Sequence, residues 1–505
     1  MELGGGGGGG GESAAKRARL SSGDADSSAA AGEDRLSALP DDVVIFILLH
    51  LSTRAAARTS VLSRHWRRIW ALVPAFHFPK VRRPHWLRDF LDAREAPVRD
   101  LVVIAHGATG ESMGVWLPAA ARRVTGDLSL VNCFPPYGAK KEEESAQRGS
   151  FEFPCFEKAT AIHFLLGFHG LAVPPTGVFT RLSTIYLGRV WFHGPGDLGD
   201  AVSSPRCPCL QRLGVDGAHG LGGLSIHSES MLQLELKNVR SLSQLTIVAP
   251  ALKELTLEFC FAKSGPVANI TAPLLASLDW GDEYDPTSVH LGKMEHLRSL
   301  GSVYYLVYGT ETFLHNHYCL SLLQRFEDIK TLSLMLAYPR DLENYQYLME
   351  DMIVLPDITV LCLMVITNGH AFGSSVFHVL RLCTGIRRLI LDLPTSSGSE
   401  VQTVCSSDCI CDQPADWETE ELLLNHLEEV EITGLRGSEH EFAFVKRLFN
   451  WGTKLKEMRV TFYRSTSEIK AKEFYEIYQS FSRPEVCLKL YLYRNLSVVS
   501  YAPED

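Results

Sequence analysis

The stretch that decides the fold runs from Asp34 to Leu72 and reads DRLSALPDDVVIFILLHLSTRAAARTSVLSRHWRRIWAL. Pro40 suits the first residue of a helix, because its missing N–H would have no partner there. Asp41 and Asp42 follow it, and their negative charges oppose the positive end of the helix dipole. The run from Val43 to Leu49 is apolar throughout, so its side chains point all round the helix. We therefore predict a helix that must be covered on more than one side.

The rest of this stretch predicts two further short helices. One follows a cap at Ser52-Thr53 and contains Ala55 to Thr59, and the other follows Ser63 and contains Trp66 and Trp70. So small a unit normally needs a disulfide, a metal or a partner to bury this much apolar surface. The stretch contains no cysteine. We expect a second protein to complete its core.

The pattern L-x-x-L-P-D-D-V, followed by R-T-S-V-L-S-R-x-W-R-x-x-W, resembles the F-box as it occurs in plants, over Asp34 to Pro74. In that family the helices bind a Skp-type adaptor, which links the chain to a cullin-RING ubiquitin ligase. Judged on pattern alone, Val43 to Leu49 is equally compatible with an ordinary core helix. The adaptor contacts that the resemblance implies are Leu39, Pro40, Val44, Ile47, Leu48, Leu51, Val61, Leu62 and Trp66.

Length, net charge and cysteine count limit which domain arrangements, partners and compartments are possible for this chain. A chain of 505 residues with 46% hydrophobic residues has room for a sizeable core in one large or two to three ordinary domains. The net charge of -10 argues against a nucleic-acid partner, because phosphate neutralisation needs clustered Lys and Arg. The 12 cysteines are too sparse for a disulfide scaffold, which favours a reducing compartment. No apolar run is long enough to predict a membrane span or a secretory signal.

Residues 1–33 are a tract of Gly, Ser and Ala that predicts a flexible, disordered leader. Within it, Lys16-Arg17-Ala18-Arg19 is compatible with a nuclear import signal or with a solubilising charge cluster. We therefore expect the protein in the nucleus, the cytoplasm or both.

From residue 75 to residue 416 the pattern L-x-x-L-x-L, or an aliphatic variant, recurs mostly at intervals of about 20 to 32 residues. The last two apolar positions of each set share one face of a strand. The spacing is irregular near Leu242 and Leu252, and the set at Leu297 and Leu300 lacks an apolar third position at Ser302. The sets are Val98-Leu101-Val103, Ala159-Ile162-Phe164, Leu182-Ile185-Leu187, Leu210-Leu213-Val215, Leu242-Leu245-Ile247, Leu252-Leu255-Leu257, Leu275-Leu278-Trp280, Ile329-Leu332-Leu334, Ile358-Leu361-Leu363 and Ile386-Leu389-Leu391.

This recurrence predicts an irregular leucine-rich-repeat solenoid, although leucines at this density could also produce such sets by chance. An F-box followed by such repeats resembles plant F-box/leucine-rich-repeat proteins. Residues flanking the buried aliphatics face outward on the concave side, and their mixed character suits a protein or peptide substrate. The candidate substrate-binding residues are Tyr186, Arg212, Asp216, Glu254, Glu258, Asp279, Met335, Met364, Arg388 and Asp392.

Residues 417–490 predict one more strand-helix-strand unit, with a helix at Glu439 to Asn450, which would cap the open end of the repeats. A further helix is predicted at Lys470 to Phe481 and a closing strand at Val486 to Tyr493, before a tail at 491–505. The region resembles the FBD domain that ends many plant F-box/leucine-rich-repeat proteins. The matching residues are Glu429, Glu431, Gly434, Gly437, Glu439, Lys446, Lys456 and Met458.

Cys405, Cys409 and Cys411 lie in a turn-rich interruption from Thr395 to Trp417. Thiolates are good zinc ligands, but the pattern lacks two spaced C-x2-C knuckles and no nearby histidine completes a set of four. We therefore expect thiols without a metal here, and no cofactor elsewhere. Charged residues 138–149 and turn-rich residues 194–208 also interrupt the repeats.

The sequence contains no Walker loop, G-x-S-x-G, H-E-x-x-H or strand-associated G-x-G-x-x-G motif. We interpret the chain as an α/β protein with a short three-helix F-box, an irregular leucine-rich-repeat solenoid and an FBD-type cap. Its expected role is that of a non-catalytic substrate receptor of a Skp-cullin-F-box ubiquitin ligase. One alternative is a small-molecule, hormone-like receptor that uses the same ligase. Another is a repeat scaffold with a decayed F-box, because Ala55 and Ala57 replace an acidic and a larger aliphatic residue of that family.

Overall fold

The computed structural model describes residues 39–81, 83–133, 149–193, 196–239, 242–261, 265–310, 314–326, 328–394, 409–412, 415–494 and 497–501. The chain divides into two compact units, Met1–Trp70 and Ala71–Asp505. The predicted leader, the basic cluster within it, most of residues 138–149 and Cys405 lie outside the described residues.

The three helices predicted near the amino end are confirmed as α1 (Asp41–Leu49), α2 (Thr53–Thr59) and α3 (Arg64–Leu72). Ser52 Oγ accepts a hydrogen bond from the Ala55 amide, and Ser63 Oγ accepts one from the Trp66 amide. Each of these hydrogen bonds is 3.3 Å long. These two hydroxyls satisfy amides that lack a partner within the first turn of a helix. Pro40 is the capping residue rather than the first helical residue, since its ψ of 144° is extended.

After these helices, strands alternate with helices and turns. The elements up to residue 258 are β1 (Ala75–Phe78), α4 (Pro84–Asp92), β2 (Val98–His106), α5 (Gly110–Arg123), β3 (Val124–Cys133), β4 (Ser150–Glu152), β5 (Ala161–Ala172), β6 (Thr184–His193), α6 (Leu198–Val202), β7 (Arg212–His219), β8 (Gly223–His227), β9 (Gln233–Lys237), β10 (Gln244–Val248) and β11 (Glu254–Glu258).

The same alternation continues to the end of the described chain. The remaining elements are β12 (Ala268–Thr271), β13 (Ser277–Gly281), β14 (Val289–Leu291), β15 (Ser299–Leu306), β16 (Tyr308–Gly309), α7 (Leu314–Arg325), β17 (Thr331–Ala337), β18 (Gln346–Tyr347), β19 (Val360–Ile366), α8 (Gly373–Leu382), β20 (Arg388–Asp392), β21 (Glu429–Leu435), α9 (Glu439–Trp451), β22 (Glu457–Phe462), α10 (Glu468–Phe481), β23 (Cys487–Arg494) and β24 (Ser497–Tyr501).

One 18-stranded sheet dominates this unit. Its strands pair in parallel and in chain order from β1 to β23, while β8, β10, β12 and β14 leave this order and form a second parallel sheet. β4 pairs beside β5, β24 closes the main sheet antiparallel to β23, and β16 pairs with β18. Parallel neighbours need a return segment on each crossing, and helices or second-sheet strands provide it at most of the crossings in the described chain.

A row of buried aliphatic side chains crosses the main sheet in register. Each member pairs with the equivalent residue of the next strand, so the row is continuous from β2 to β22 and forms the core along the sheet. The row consists of Leu101, Leu128, Ile162, Ile185, Leu213, Leu234, Leu255, Leu278, Leu300, Leu332, Leu361, Leu389, Val430 and Met458.

Most of the predicted sets place their last two residues on strands of the main sheet. Leu242-Leu245-Ile247 is different, because Leu245 and Ile247 lie on β10 of the second sheet. This explains the short interval to the set that begins at Leu252. The set at Leu297 and Leu300 is interrupted by a bulge, where Ser302 has a φ of +59° and Val303 resumes the buried position.

The carboxyl-terminal unit of strand, helix and strand is present, and its elements differ from the prediction by one or two residues. The helix α9 ends at Trp451 and is preceded by a capping box, in which Ser438 and Glu441 satisfy each other's backbone amides. The helix α10 begins at Glu468, because Ser467 caps it. The names leucine-rich-repeat solenoid and FBD cap stay predictions for these two regions.

Candidate functional site: an apolar helical surface and a half-exposed sheet face

The predicted adaptor contacts divide into buried and exposed residues. Val44, Leu48 and Trp66 are buried, so their side chains pack inside and are not available for direct contact in this structure. Ile47, Leu51, Val61 and Leu62 are exposed, as is Pro40, and Leu39 is half-buried. The buried residues therefore position the exposed ones.

Further exposed apolar side chains were missed from the sequence. Val43, Phe46 and Leu49 lie on α1, and the Phe46 side chain is 62% exposed. Because α1 is apolar all round, its pattern could not reveal that Val44 and Leu48, one turn apart, form its buried stripe. We call the exposed set Val43, Phe46, Ile47, Leu49, Leu51, Val61 and Leu62 the apolar helical surface.

An ion pair joins α1 to α3. Arg68 Nη2 on α3 lies 2.9 Å from Asp41 Oδ2 on α1, and His65 Nε2 lies 3.9 Å from Asp41 Oδ1. An exposed pair of this kind contributes little to stability, at most about 1 kcal/mol. The apolar helical surface is thus the dominant exposed feature of α1 and the turn after α2, and exposed apolar clusters mark interaction sites.

The ten candidate substrate-binding residues all lie on the main sheet. Their side chains point away from the buried row, and most are half-buried, while Arg212 and Glu254 are exposed. We call the face formed by these alternating positions from β6 to β22 the half-exposed face.

Carboxylates dominate the half-exposed face between β7 and β13. Glu258 pairs in register with Lys237 and Glu254 with Gln233, so neighbouring strands bring these groups together. Lys237 Nζ lies 2.8 Å from Glu235 Oε1 and 3.8 Å from Glu258 Oε2. Glu235 was missed because the set on β9 begins with Met231, whereas the sets recognised in the sequence begin with an aliphatic residue. We call Asp216, Glu235, Glu254, Glu258 and Asp279 the acidic strip.

Within the acidic strip, the charge of Glu258 repels the charge of Asp279. Burial raises the pKa of the Asp279 carboxyl above its usual value, and the charge of Glu258 raises this pKa further. Thr256 Oγ1 donates a long hydrogen bond of 3.4 Å to Asp279 Oδ2, which opposes the rise. A cation that approached this carboxylate would therefore relieve an unfavourable charge.

Beyond the acidic strip, the half-exposed face becomes less polar. Tyr304, Met335 and Met364 are neighbours in register on β15, β17 and β19, and Asp392 follows on β20. Methionine adapts its shape to irregular apolar partners. This part of the face can therefore contact apolar side chains.

Farther along, the charges of the half-exposed face are paired with one another. Arg388 Nη2 lies 3.1 Å from Glu431 Oε2, and Lys489 Nζ on the adjoining strand β23 lies 2.9 Å from Glu457 Oε1. Arg459 also forms an ion pair with Glu457. Arg388 thus participates in an internal network, whereas the carboxylates of the acidic strip outnumber the cations around them.

The described cysteines after β20 lie beside a histidine that is remote in sequence. His370, Cys409 and Cys411 each offer one potential ligand atom, and these atoms lie within 4.8 Å of one another. The signal was missed because His370 precedes Cys409 by 39 residues. Only the folded chain brings them together.

The F-box domain family matches residues 36–77, which include α1, α2, α3 and every residue of the apolar helical surface. The chain carries an F-box domain. In the part of the chain that the structure describes, we find no helix with both the length and the apolar character needed to cross a bilayer.

Relatives from Arabidopsis thaliana match longer parts of this chain than the F-box domain family does. An F-box/FBD/LRR-repeat protein is 26% identical over 52% of this chain and 55% of its own length. An FBD-associated F-box protein is 27% identical over 45% of this chain and 55% of its own length. An F-box protein is 31% identical over 37% of this chain and 46% of its own length. This chain spans about half the length of these relatives, and the resemblance to plant F-box/LRR/FBD proteins is confirmed.

Proposed function

We propose that this F-box chain is the substrate-recognition subunit of a Skp-cullin-F-box ubiquitin ligase. The observation that supports the proposal most strongly is the apolar helical surface, on which Val61 is 81% and Leu62 69% exposed. Each large aliphatic side chain removed from water stabilises a complex by about 1.5–3 kcal/mol before the costs of association. A Skp-type adaptor would provide the apolar partner that these side chains need.

The adaptor contact would combine exposed anchors with a rigid support. Ile47 and Leu51 would join Val61 and Leu62 at the centre of the contact, while the missed residue Phe46 would add an aromatic anchor. Aromatic and aliphatic groups that become fully desolvated carry most of the affinity of an interface. Val44, Leu48 and Trp66 would keep these anchors in place from the interior.

The strand-rich region would hold the substrate. We assign it as an irregular leucine-rich-repeat solenoid, closed by an FBD-like cap, with the half-exposed face as the recognition surface. The acidic strip favours a substrate segment that carries Lys or Arg, because complementary charge increases the association rate and orients the partner. Met335 and Met364 would contact apolar residues next to that basic segment.

The chain would contribute position rather than chemistry to ubiquitin transfer. A conjugating enzyme held on the same ligase would carry the activated ubiquitin, and the bound substrate would present its lysine at high effective concentration. This non-catalytic role agrees with the lack of nucleophile motifs in the sequence. The protein would act in the nucleus, the cytoplasm or both.

The adaptor half of the proposal is tested by co-purification. Tagged full chain is expressed with a plant Skp-type adaptor, and wild type is compared with Ile47→Glu. We expect the adaptor to co-purify with wild type and to be lost from the variant, because a buried unpaired carboxylate is costly. Ile469→Glu is a matched control, since Ile469 is also an exposed isoleucine on a helix. Equal adaptor recovery from both variants would contradict the proposed contact.

The substrate half is tested by affinity purification and mass spectrometry while the ligase is blocked. Glu254→Lys combined with Asp279→Lys reverses charge on the acidic strip, and Glu473→Lys serves as a control on α10. We expect the double variant to retain the adaptor and to lose the proteins that accumulate on wild type. An unchanged set of bound proteins would rule out the half-exposed face as the recognition surface.

A further inference from the structure

We propose that His370, Cys409 and Cys411 bind one zinc ion and thereby fasten the segment after β20 to the turn after β19. The donor set supports this assignment, since two thiolates and one imidazole are ligands that zinc prefers. Their ligand atoms lie within 4.8 Å of one another. This proposal is independent of the ligase role, because it concerns how the chain is held together.

The separation of His370 and Cys409 fits tetrahedral zinc. His370 Nδ1 lies 3.5 Å from Cys409 Sγ. A zinc ion at the usual distances from sulfur and nitrogen, about 2.3 and 2.0 Å, places these two atoms about 3.5 Å apart at the tetrahedral angle. The nitrogen and the sulfur are therefore already at the distance that a shared metal would impose.

The hydrogen bonds of His370 select the nitrogen that faces the thiols. His370 Nε2 lies 3.3 Å from the carbonyl oxygen of Arg340, and because a carbonyl only accepts, Nε2 carries the proton. A neutral imidazole protonated at Nε2 has its lone pair on Nδ1, which faces Cys409. Zinc-binding histidines commonly donate their other N–H to a carbonyl in this way, which fixes the ring orientation.

The local backbone fixes the position of His370. The His370 amide donates a hydrogen bond of 2.9 Å to the Thr367 carbonyl, which closes a tight turn. Asn368 and Gly369 within this turn have φ values of +48° and +93°. Asn368 Nδ2 also donates over 2.8 Å to the carbonyl of Tyr338, so the turn is anchored to the strand-rich unit.

The cysteine segment is anchored as well. Cys411 lies in a short 3₁₀ turn, Ile410–Asp412, and the residue is 4% exposed. The Ala371 amide lies 3.4 Å from Cys411 Sγ and donates to it, a contact that would favour a thiolate. Tyr308 Oη donates over 2.9 Å to the carbonyl of Ile410. Residues outside the proposed zinc site therefore hold both the turn of His370 and the cysteine segment in place.

Charge balance also favours a divalent ion. Binding of zinc would release one proton from each thiol, and the ion with two thiolates and a neutral imidazole would carry no net charge. A neutral cluster avoids most of the cost of placing an ion in a partly buried site. The three described ligands leave the fourth position of the tetrahedron to a ligand outside this set.

The test uses the full chain, purified under reducing conditions, stripped with a chelator and then titrated with Zn²⁺ alone. We expect one zinc per chain and a higher melting temperature after zinc addition. In His370→Gln and Cys409→Ser the affinity should fall by more than about 100-fold, since even loss of an outer partner costs 10–100-fold. Cys487→Ser removes an exposed cysteine elsewhere and should leave zinc binding unchanged.

Cobalt provides a readout that does not depend on stability. Co²⁺ in the stripped wild-type chain should give the thiolate charge-transfer band and the d–d bands of a tetrahedral site, and Cys409→Ser should weaken both. Circular dichroism of the metal-free variants shows whether they fold. The proposal is overturned if wild type binds neither ion, if the variants bind zinc as wild type does, or if Cys409 and Cys411 form a disulfide under reducing conditions.

Discussion

Gly437 occupies the turn between β21 and α9, where its φ is +82°. A Cβ atom built at this position would lie 2.0 Å from the ring of Phe474 on α10. Glycine is therefore required for two separate reasons, the left-handed backbone and the close approach of an aromatic ring. The neighbouring carboxylate of Glu441 accepts hydrogen bonds from the amides of Arg436, Gly437 and Ser438, which fixes the same turn.

Gly437→Ala should destabilise the strand-rich unit by about 1–3 kcal/mol, the usual cost of forcing extra volume into a packed site. The free energy of unfolding in urea, followed by circular dichroism, measures this effect. Gly222→Ala is the matched control, because a Cβ there meets nothing within 4 Å. A Gly437→Ala protein as stable as the control would show that this turn can relax without cost.

His378 should make stability depend on pH. Burial lowers the pKa of His378 below 6.5, and the charge of Arg381 lowers it further, while the hydrogen bond to the Met352 carbonyl and the charge of Glu350 oppose this. The folded state thus favours the neutral ring, whereas the unfolded chain gains a proton near pH 6.5. Stability should therefore be lost as the pH falls through about 6.5 towards the lowered folded pKa.

Urea unfolding of wild type and His378→Gln at about pH 7.5 and pH 5.5 measures this contribution. Wild type should lose more stability on acidification than the variant, because only wild type carries the buried imidazole. His426→Gln alters an exposed histidine and should behave as wild type does. An identical pH dependence in all three proteins would exclude His378 as the source.

Among the elements, α1 and the strands of the main sheet show most clearly what the sequence could predict. The capping hydroxyls of Ser52 and Ser63 and the run of apolar residues located the three helices to within one or two residues. The repeated aliphatic spacing located most strands of the main sheet. Helix caps, apolar runs and aliphatic spacing depend only on residues close together in the chain, so they can be recognised in a single sequence.

Other features could not be predicted from the sequence, because they depend on which elements contact one another in the folded chain. The sequence could not distinguish β10 of the second sheet from main-sheet strands, since Leu245 and Ile247 have the same local spacing. It also could not show which stripe of α1 is buried, or that His370 approaches Cys409. Each of these depends on contacts between residues that are remote in the chain.

The register of the main sheet predicts opposite outcomes for neighbouring residues of β17. Leu332 belongs to the buried row between Leu300 and Leu361, so Leu332→Ala should cost about 2–5 kcal/mol of unfolding free energy. Ser333 points to the half-exposed face, and Ser333→Ala should change stability by less than about 0.5 kcal/mol. Equal losses in chemical unfolding would contradict the assigned register.

At the scale of the whole molecule, the two compact units differ in how their apolar side chains are covered. The strand-rich unit buries a continuous aliphatic row, whereas the F-box helices expose Phe46, Val61 and Leu62. An apolar surface of this kind is expected to be completed by another protein. The proposed function therefore depends on a partner for the F-box domain at residues 36–77.

The most direct measurement is the dissociation constant of a purified Skp-type adaptor for the full chain, obtained by isothermal titration calorimetry. We predict a one-to-one complex for wild type and for Ile469→Glu. Leu62→Glu should weaken binding by about 30-fold or more, as expected when a central apolar contact of at least 2 kcal/mol is lost. Absence of binding by wild type, or equal binding by Leu62→Glu, would contradict the assignment of this surface to the adaptor.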